Sequence, residues 1–277
     1  MAIIVGDIHG NLEKAKAFLD YKSDDLHVAL GDYLDSFIEP PKIQLKCLRM
    51  LMESNSVLLL GNHEVHYLKE SPHQSPGYNR EYARIFEDIL EANIQRFRAA
   101  YDVDGWLLSH AGVNSGESQH DNTRRCKKAA TFAKALQNEF ENYLLNRFNT
   151  DDTFAKFSQN DFYSSLVNQV KNQYRHLSIF YNNYQENGGI FYDIEQIFAH
   201  NENNQPKVKR TFIALGTTNC TNSCWLYDTT ASELVQLPLR PKIGRVICSS
   251  NVKVGARLTR CVFEANQVRA WQGAING

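Results

Sequence analysis

Short apolar runs along the chain stop, again and again, at a small polar cluster. "AIIV" runs into Gly6, Asp7, Ile8 and His9; "HVAL" runs into Gly31 and Asp32; "VLLL" runs into Gly61, Asn62 and His63. Farther on, "GWLL" runs into Ser109 and His110, and "QIFA" into His200. Short, mostly β-favouring runs of this kind are the pattern of strands buried on both faces, with helices between them. The helical segments show a different period. Asn11 is a good N-cap, and after it Leu12, Ala15, Phe18 and Leu19 recur at helical spacing. Ile43, Cys47, Leu48 and Leu51 form a second stripe, and Tyr82, Ile85, Phe86, Ile89 and Phe97 a third. Alternating strand and helix predicts an α/β layered fold. In such sheets active sites lie beyond the carboxyl ends of the strands, which is where all of these polar clusters fall.

The pattern changes over residues 117–187, which are rich in Asn and Gln and place Phe132, Phe140 and Phe148 near helical periods. This predicts a helical insertion or cap. From about residue 208 short strands return ("RTFIAL", "CWLYD", "ELVQL"), predicting a second sheet packed on the first. The whole chain, 1–277, is expected to be a single domain with the insertion at about 117–187.

Composition removes several function classes. With 277 residues and 43% hydrophobic content the chain can bury a substantial core. Thirty basic against 31 acidic residues give a formal charge of −1, which argues against bulk nucleic-acid binding or coating of an anionic membrane. The local runs "RRCKK" (124–128) and "KVKR" (207–210) are read as solvated faces. No window approaches the ~18 apolar residues of a membrane span, and "MAIIVGD" lacks both the basic region and the length of a signal peptide. Cys47, Cys126, Cys220, Cys224, Cys248 and Cys261 are scattered without zinc-finger spacing, so reduced thiols in a cytoplasmic protein are expected.

The polar clusters carry the chemistry. Asp7, His9, Asp32, Asn62, His110 and His200 offer carboxylate, imidazole and amide oxygen, with no thiolate. Such donors fit a borderline divalent metal such as Mn, Fe or Zn better than they fit a structural zinc site. They exceed what one metal with an open position takes, whereas two metals sharing a bridging carboxylate use them all. A two-metal site is a phosphoester-cleaving arrangement.

Taken together, "GDIHG" (6–10), "GDYLD" (31–35), "GNHE" (61–64), "SHAGV" (109–113) and "FAHNE" (198–202) resemble the motifs of the metallophosphoesterase (calcineurin-like) superfamily, in its serine/threonine phosphatase and diadenosine tetraphosphatase branches. The resemblance implies two packed mixed β-sheets flanked by helices in four layers. It implies that Asp7 and His9 hold a first metal, that Asp32 bridges, and that Asn62, His110 and His200 hold a second. His63 is then no ligand: it protonates the leaving oxygen or steadies its charge, supported by Asp35. A carboxylate beside an imidazole raises its pKa and fixes its tautomer. Glu64 is a supporting or structural residue, and the motif glycines permit tight turns.

The chain also departs from the pattern. Ser36 stands where the phosphatases' "GDYVDRG" has an arginine that grips phosphate, and a hydroxyl does not replace a bidentate guanidinium. Arg80, Arg84, Arg124 and Arg125 are candidate substitutes. Phe37 stands where the pattern has glycine, Ala199 where it usually has glycine, and Gly216 where it has aspartate. "GNHEVHYL" is similar to "GNHDLHLL" of the diadenosine tetraphosphatases, making His66 a candidate substrate contact, whereas His9 sets the chain apart from many of them.

The expected activity is hydrolysis of phosphate monoesters, protein-phosphatase fashion, by metal-activated hydroxide on two divalent ions, Mn foremost with Fe or Zn as alternatives. Diadenosine tetraphosphate hydrolysis and phosphodiesterase or nuclease activity are the other catalytic readings. A non-catalytic scaffold of the same fold would be expected to show eroded ligands, and all six plus His63 are present. The expected partner is a phosphorylated substrate (phosphoprotein, nucleotide or small phosphate ester) and not a membrane; the sequence leaves the oligomeric state open.

Overall fold

The computed structural model describes residues 1–68, 74–113, 129–146, 179–182, 194–201, 203–217 and 222–239. The chain divides into two compact units, Met1–Pro241 and Lys242–Gly277. The second unit lies outside the described residues, as does that part of the single domain expected over 1–277.

The first unit contains two mixed sheets. One has the order β11-β10-β1-β2-β3-β4, in which β1 (Ala2–Val5), β2 (Leu26–Ala29), β3 (Val57–Leu59) and β4 (Phe97–Arg98) run parallel. β10 (Ser223–Asp228) and β11 (Glu233–Pro238) are added antiparallel on the side of β1. The other sheet has the order β5-β6-β7-β9-β8. There β6 (Trp106–Ser109), β7 (Gln196–Phe198) and β9 (Phe212–Ala214) are parallel, flanked by antiparallel β5 (Ala100–Val103) and β8 (Lys207–Val208).

The pleat sorts the apolar residues. Alternate side chains point to opposite faces of a strand, so Ala2, Ile4, Val28, Leu30 and Leu59 meet Leu108, Ile197, Ile213 and Leu215 in a core between the sheets. Ile3, Val5, Ala29 and Leu58 face the other way, in a core shared with Ala15 and Phe18 of α1 (Leu12–Asp20) and Cys47, Leu48 and Leu51 of α2 (Pro41–Glu53). Leu107 faces outward on the second sheet, against which α5 (Ala129–Asn146) packs with Phe132, Leu136 and Phe140 buried. Helices therefore cover two packed mixed sheets, as the sequence resemblance implied. Removing a core side chain such as Ile4 or Leu108 to alanine costs about 2–5 kcal/mol in such packing.

Most expected elements coincide with the observed ones, but the tail strands do not make up the second sheet. β10 and β11 extend the first sheet antiparallel to β1, and of the three only β9 lies in the second, beside β7. Asn11 caps α1, its Oδ1 accepting the Lys14 amide at 3.0 Å. The third predicted stripe is too long. α4 spans Ala83–Ala92, after which Asn93 Nδ2 donates to the Ile89 carbonyl at 2.8 Å and the chain turns. Phe97 lies beyond that turn on β4, buried beside Tyr33, and shares the helical period only by coincidence. Ile85, on the stripe, is 45% exposed. Of the expected insertion at 117–187, the described residues are α5 and a turn at 179–182; the remainder, with Phe148, lies outside them.

Candidate metal centre

Adjacent parallel strands β1, β2 and β3 end side by side, so Asp7 and His9, Asp32, and Asn62 and His63 emerge at one edge. From the second sheet, β6 and β7 deliver His110 and His200 to the same place. The turns after β2 and β3 press so closely that glycine is required at both. A Cβ on Gly31 (φ 109°) would lie 2.6 Å from the Gly61 nitrogen, and one on Gly61 would lie 2.1 Å from Asp32 Oδ1. Four site residues hold left-handed backbone: His9 (φ 45°), Asp32 (φ 55°), Asp35 (φ 58°) and His200 (φ 64°). Such conformations cost on the order of 1 kcal/mol or more each and persist only when their surroundings impose them. Part of the imposition is visible: the amides of Ile8 and His9 both donate to the Asp32 carbonyl, at 3.0 and 2.7 Å.

α3 (Asn62–Val65) is a single turn opened by Gly61. Its Glu64 is fully buried, and its carboxylate accepts four main-chain amides. Oε2 takes Asp32 at 2.8 Å and Gly61 at 3.0 Å; Oε1 takes Tyr33 at 2.7 Å and Leu34 at 3.2 Å. Burial, then the charge of Asp32, push its pKa up to about 7. Glu64 is thus the clamp between two ligand-bearing turns.

The side-chain donor atoms converge in a way that could hold a cation. His110 Nδ1 lies 2.8 Å from the Leu30 carbonyl, which can only accept, so in the neutral ring the proton sits on Nδ1 and Nε2 is a lone pair. That Nε2 lies 2.9 Å from Asn62 Oδ1, 3.2 Å from His200 Nδ1 and 3.4 Å from Asp32 Oδ2. Asn62 is fixed in this sense because its Nδ2 donates to Ser75 Oγ at 2.9 Å, leaving Oδ1 2.9 Å from His200 Nδ1. His9 repeats the device, with Nδ1 on the Leu34 carbonyl at 2.8 Å and Nε2 3.8 Å from Asp32 Oδ2. Asp7 Oδ1 accepts the His200 amide at 3.1 Å, while its buried Oδ2 has no hydrogen-bond partner among the described residues. Lone pairs aimed at one another are repulsive unless a proton or a metal lies among them. Burial opposes a charged imidazole at His110, yet the Asp32 carboxylate outweighs it and raises the pKa to about 9. Burial and then Asp32 raise the pKa of Asp7. A divalent cation relieves both carboxylates at once, so the residues present fit one. Ligand atoms of His9, Asp32 and His63 lie within 4.8 Å of one another, as do those of Asp32, His110 and His200, so that Asp32 belongs to both groups.

A second network stands beside this one. His63 Nδ1 lies 2.8 Å from Asp35 Oδ2, and its main-chain amide donates to Asp32 Oδ1 at 3.1 Å. Burial alone would lower the His63 pKa; the Asp32 charge and the Asp35 hydrogen bond outweigh it and raise it to about 9. Tyr67 donates its hydroxyl to Asp35 Oδ1 at 2.5 Å and accepts the Asn79 amide at 2.8 Å. His66 Nε2 lies 2.6 Å from Asp35 Oδ2, somewhat off the line of a good hydrogen bond, and its side chain is completely buried. Asp35, His63 and His66 also have cation-binding composition, but His63 Nδ1 and Tyr67 are spent on Asp35 as donors. His66 is not exposed to substrate, which corrects the reading of it as a substrate contact: Tyr67, Tyr78 and Asp35 enclose it.

All eight residues expected at the site, Asp7, His9, Asp32, Asn62, His110 and His200 with His63 and Asp35, are therefore brought together. The departures acquire physical reasons. Ser36 Oγ accepts the amides of Ile38 (3.2 Å) and Glu39 (3.0 Å), shaping the loop. Arg84 pairs with Glu87 and Asp88 on the surface of α4, Arg80 is exposed, and Arg124 and Arg125 lie outside the described residues. A Cβ on Gly216 would lie 2.2 Å from the Asn201 carbonyl, so no side chain fits there. Ala199 is buried between the sheets. Lys14, which sequence pattern places simply on α1, is buried and donates to the Asp7 carbonyl.

Comparison with known proteins agrees with this geometry. The family model described as calcineurin-like phosphoesterase matches residues 2–185. No curated protein sequence matches. Among solved structures, a protein provisionally named a diadenosine tetraphosphatase superposes with a TM-score of 0.50 at 15% identity, covering 87% of this chain and 94% of its own. A serine/threonine phosphatase from Saccharomyces cerevisiae, with similarity to human PP5, gives a TM-score of 0.44 at 12% identity, covering 86% of this chain and 79% of its own. The superposition at 0.50 supports the same fold, and among the described residues no helix is long and apolar enough to cross a membrane. With the family model covering most of the two-sheet unit and Asp7, His9, Asp32, Asn62, His63, His110 and His200 brought to one place, the chain belongs to the calcineurin-like phosphoesterase family of metal-dependent hydrolases.

Proposed function

We propose that the protein is a dinuclear phosphomonoesterase, and what supports this reading is that Asp32 shares one candidate group with His9 and His63 and another with His110 and His200, while Asp7 Oδ1 accepts the His200 amide beside them. Asp7, His9 and Asp32 would hold one divalent ion and Asn62, His110 and His200 a second with the same Asp32 carboxylate, with His63 kept as the proton donor. Mn(II) is the ion proposed, because oxygen and imidazole donors without thiolate suit it. When bound, such a pair supplies Lewis acidity for the phosphoryl oxygens and a nucleophile near neutral pH. The residues of the chain supply the rest. His63 is turned by Asp35, which faces its Nδ1, so Nε2 is the atom that protonates the leaving oxygen. Glu64 keeps the turns bearing Asp32 and Asn62 in register. Buried free thiols at Cys47 and Cys224 accord with the reducing cytoplasm proposed for it.

Dinucleoside polyphosphate hydrolysis is the second reading. Ser36 offers no guanidinium for a doubly charged monoester, and Phe37, 79% exposed on the same loop, presents an aromatic face of the kind on which a base stacks. A panel in Mn(II) decides: kcat/KM for a chromogenic monoester, its diester, a phosphopeptide and diadenosine tetraphosphate. The proposal expects the monoesters, small or peptide-borne, to turn over fastest. Preference for the diester or for diadenosine tetraphosphate would replace it, and turnover of none would refute it.

A further inference from the structure

Asn62 and His63 are neighbours in sequence, yet their side chains diverge, one to the cluster around Asp32 and the other to Asp35, and a chain of close polar contacts rejoins them from behind. Asn62 Nδ2 donates to Ser75 Oγ at 2.9 Å, the Ser75 amide donates to His66 Nδ1 at 3.0 Å, and His66 Nε2 stands 2.6 Å from Asp35 Oδ2. The same Asp35 oxygen lies 2.8 Å from His63 Nδ1. An amide can only donate, so the Ser75 contact makes His66 Nδ1 the lone pair and, in the neutral ring, puts the proton on Nε2, facing Asp35. The ring has no freedom to choose otherwise. It is packed edge-on against His63 at 5.4 Å, Tyr67 at 4.3 Å and Tyr78 at 5.1 Å between centroids, with its side chain completely buried.

We propose that His66 is a positioning residue: locked in one tautomer by the Ser75 amide, it holds the Asp35 carboxylate in the orientation that aims His63. Both nitrogens of a buried imidazole need polar partners, and here those partners are the Ser75 amide and the carboxylate that also faces His63. Asp35 needs such support because its backbone is left-handed (φ 58°), and because one carboxylate must serve His63, His66 and Tyr67 together. Outer groups of this kind commonly alter activity about 10–100-fold when removed. The inference rests on the phosphoesterase reading, with His63 as the group that protonates the leaving oxygen.

Two substitutions separate the arms of His66. His66→Gln places a terminal amide where Nε2 was and keeps a donor for Asp35; His66→Asn keeps an acceptor for Ser75 and loses the donor. The measurement is kcat/KM in Mn(II) over a series of monoesters, from p-nitrophenyl phosphate to alkyl phosphates whose leaving oxygens need a proton. His66→Asn should lose about 10–100-fold on the alkyl esters and less than about 3-fold on p-nitrophenyl phosphate, with Mn(II) content unchanged, while His66→Gln retains most of the alkyl activity. An equal loss across the series, no loss, or failure of His66→Gln to rescue would overturn the proposal. If the wild-type protein cleaves no ester, the phosphoesterase reading fails instead, and the imidazole ¹⁵N spectrum of the metal-free protein decides the positioning claim. His63 should then keep its Nδ1–H signature in His66→Gln and lose it in His66→Asn; an unchanged signature in His66→Asn overturns the claim.

Discussion

Glu64 Oε2 accepts the main-chain amide of Asp32 at 2.8 Å, joining two turns 32 residues apart in sequence. Together with the amides of Gly61, Tyr33 and Leu34, this makes one carboxylate the common anchor of both ligand turns. A glutamine in its place has one acceptor oxygen, so its NH₂ group would confront two buried amides that still need partners. At about 1–3 kcal/mol for each unsatisfied buried donor, Glu64→Gln should cost about 2–6 kcal/mol of stability. Urea unfolding of the metal-free protein would show this as a lower midpoint with an unchanged slope; an unchanged midpoint would mean that the clamp contributes nothing.

This clamp also marks where the sequence stopped being informative. That Asp7, His9, Asp32, Asn62, His110 and His200 lie close together is legible because each ends an apolar run, and strand ends in parallel sheets meet. The role of Glu64 depends on two turns approaching within a glycine's width, as does the absence of a side chain at Gly216, where the obstacle is the Asn201 carbonyl. Neither approach leaves a periodic signal. His66 looked like a substrate contact because it follows the motif closely, yet burial turns it inward onto Asp35. β4 and β8 leave no signal because they are two residues long and carry Arg98 and Lys207, and β5 because Asp102 breaks its apolar run. Phe97 keeps the helical period although the helix stops at Asn93, because the period alone carries no sign of that stop.

Acid stability should depend on a group far from the ligands. Asp228 is buried at the end of β10; its Oδ2 accepts from Lys22 (2.5 Å) and Tyr21 (3.3 Å), and its Oδ1 from the amides of Thr230 and Ala231. Burial pushes its carboxyl up, but the Lys22 hydrogen bond and the two amides prevail and leave its pKa below the ordinary carboxylate value. A pKa depressed by folding means that the unfolded chain takes the proton first. The stabilisation is therefore complete above the unfolded value of roughly 4 and is lost as pH falls below it. Between pH 6 and pH 3 the wild-type Tm should fall more than that of Asp228→Asn; parallel falls would show that this carboxylate is not linked to folding.

Ligation and proton transfer should separate by mutation. Asp32→Asn removes the charge shared by two ligand groups and should lower the binding of every ion at the site. His63→Asn should leave metal content nearly intact while slowing turnover by about 10²–10⁴-fold, the usual worth of general acid catalysis. Elemental analysis beside kcat on the same preparations checks both, and loss of metal in His63→Asn would show that His63 is a ligand.

The most direct test of the two-ion account is stoichiometry. Metal-free protein titrated with Mn(II), then freed of excess and analysed for metal per chain, should retain about two ions, with phosphomonoesterase activity appearing only as the second is taken up. Full activity at one tightly held ion per chain would contradict the reading of Asp32 as a shared ligand.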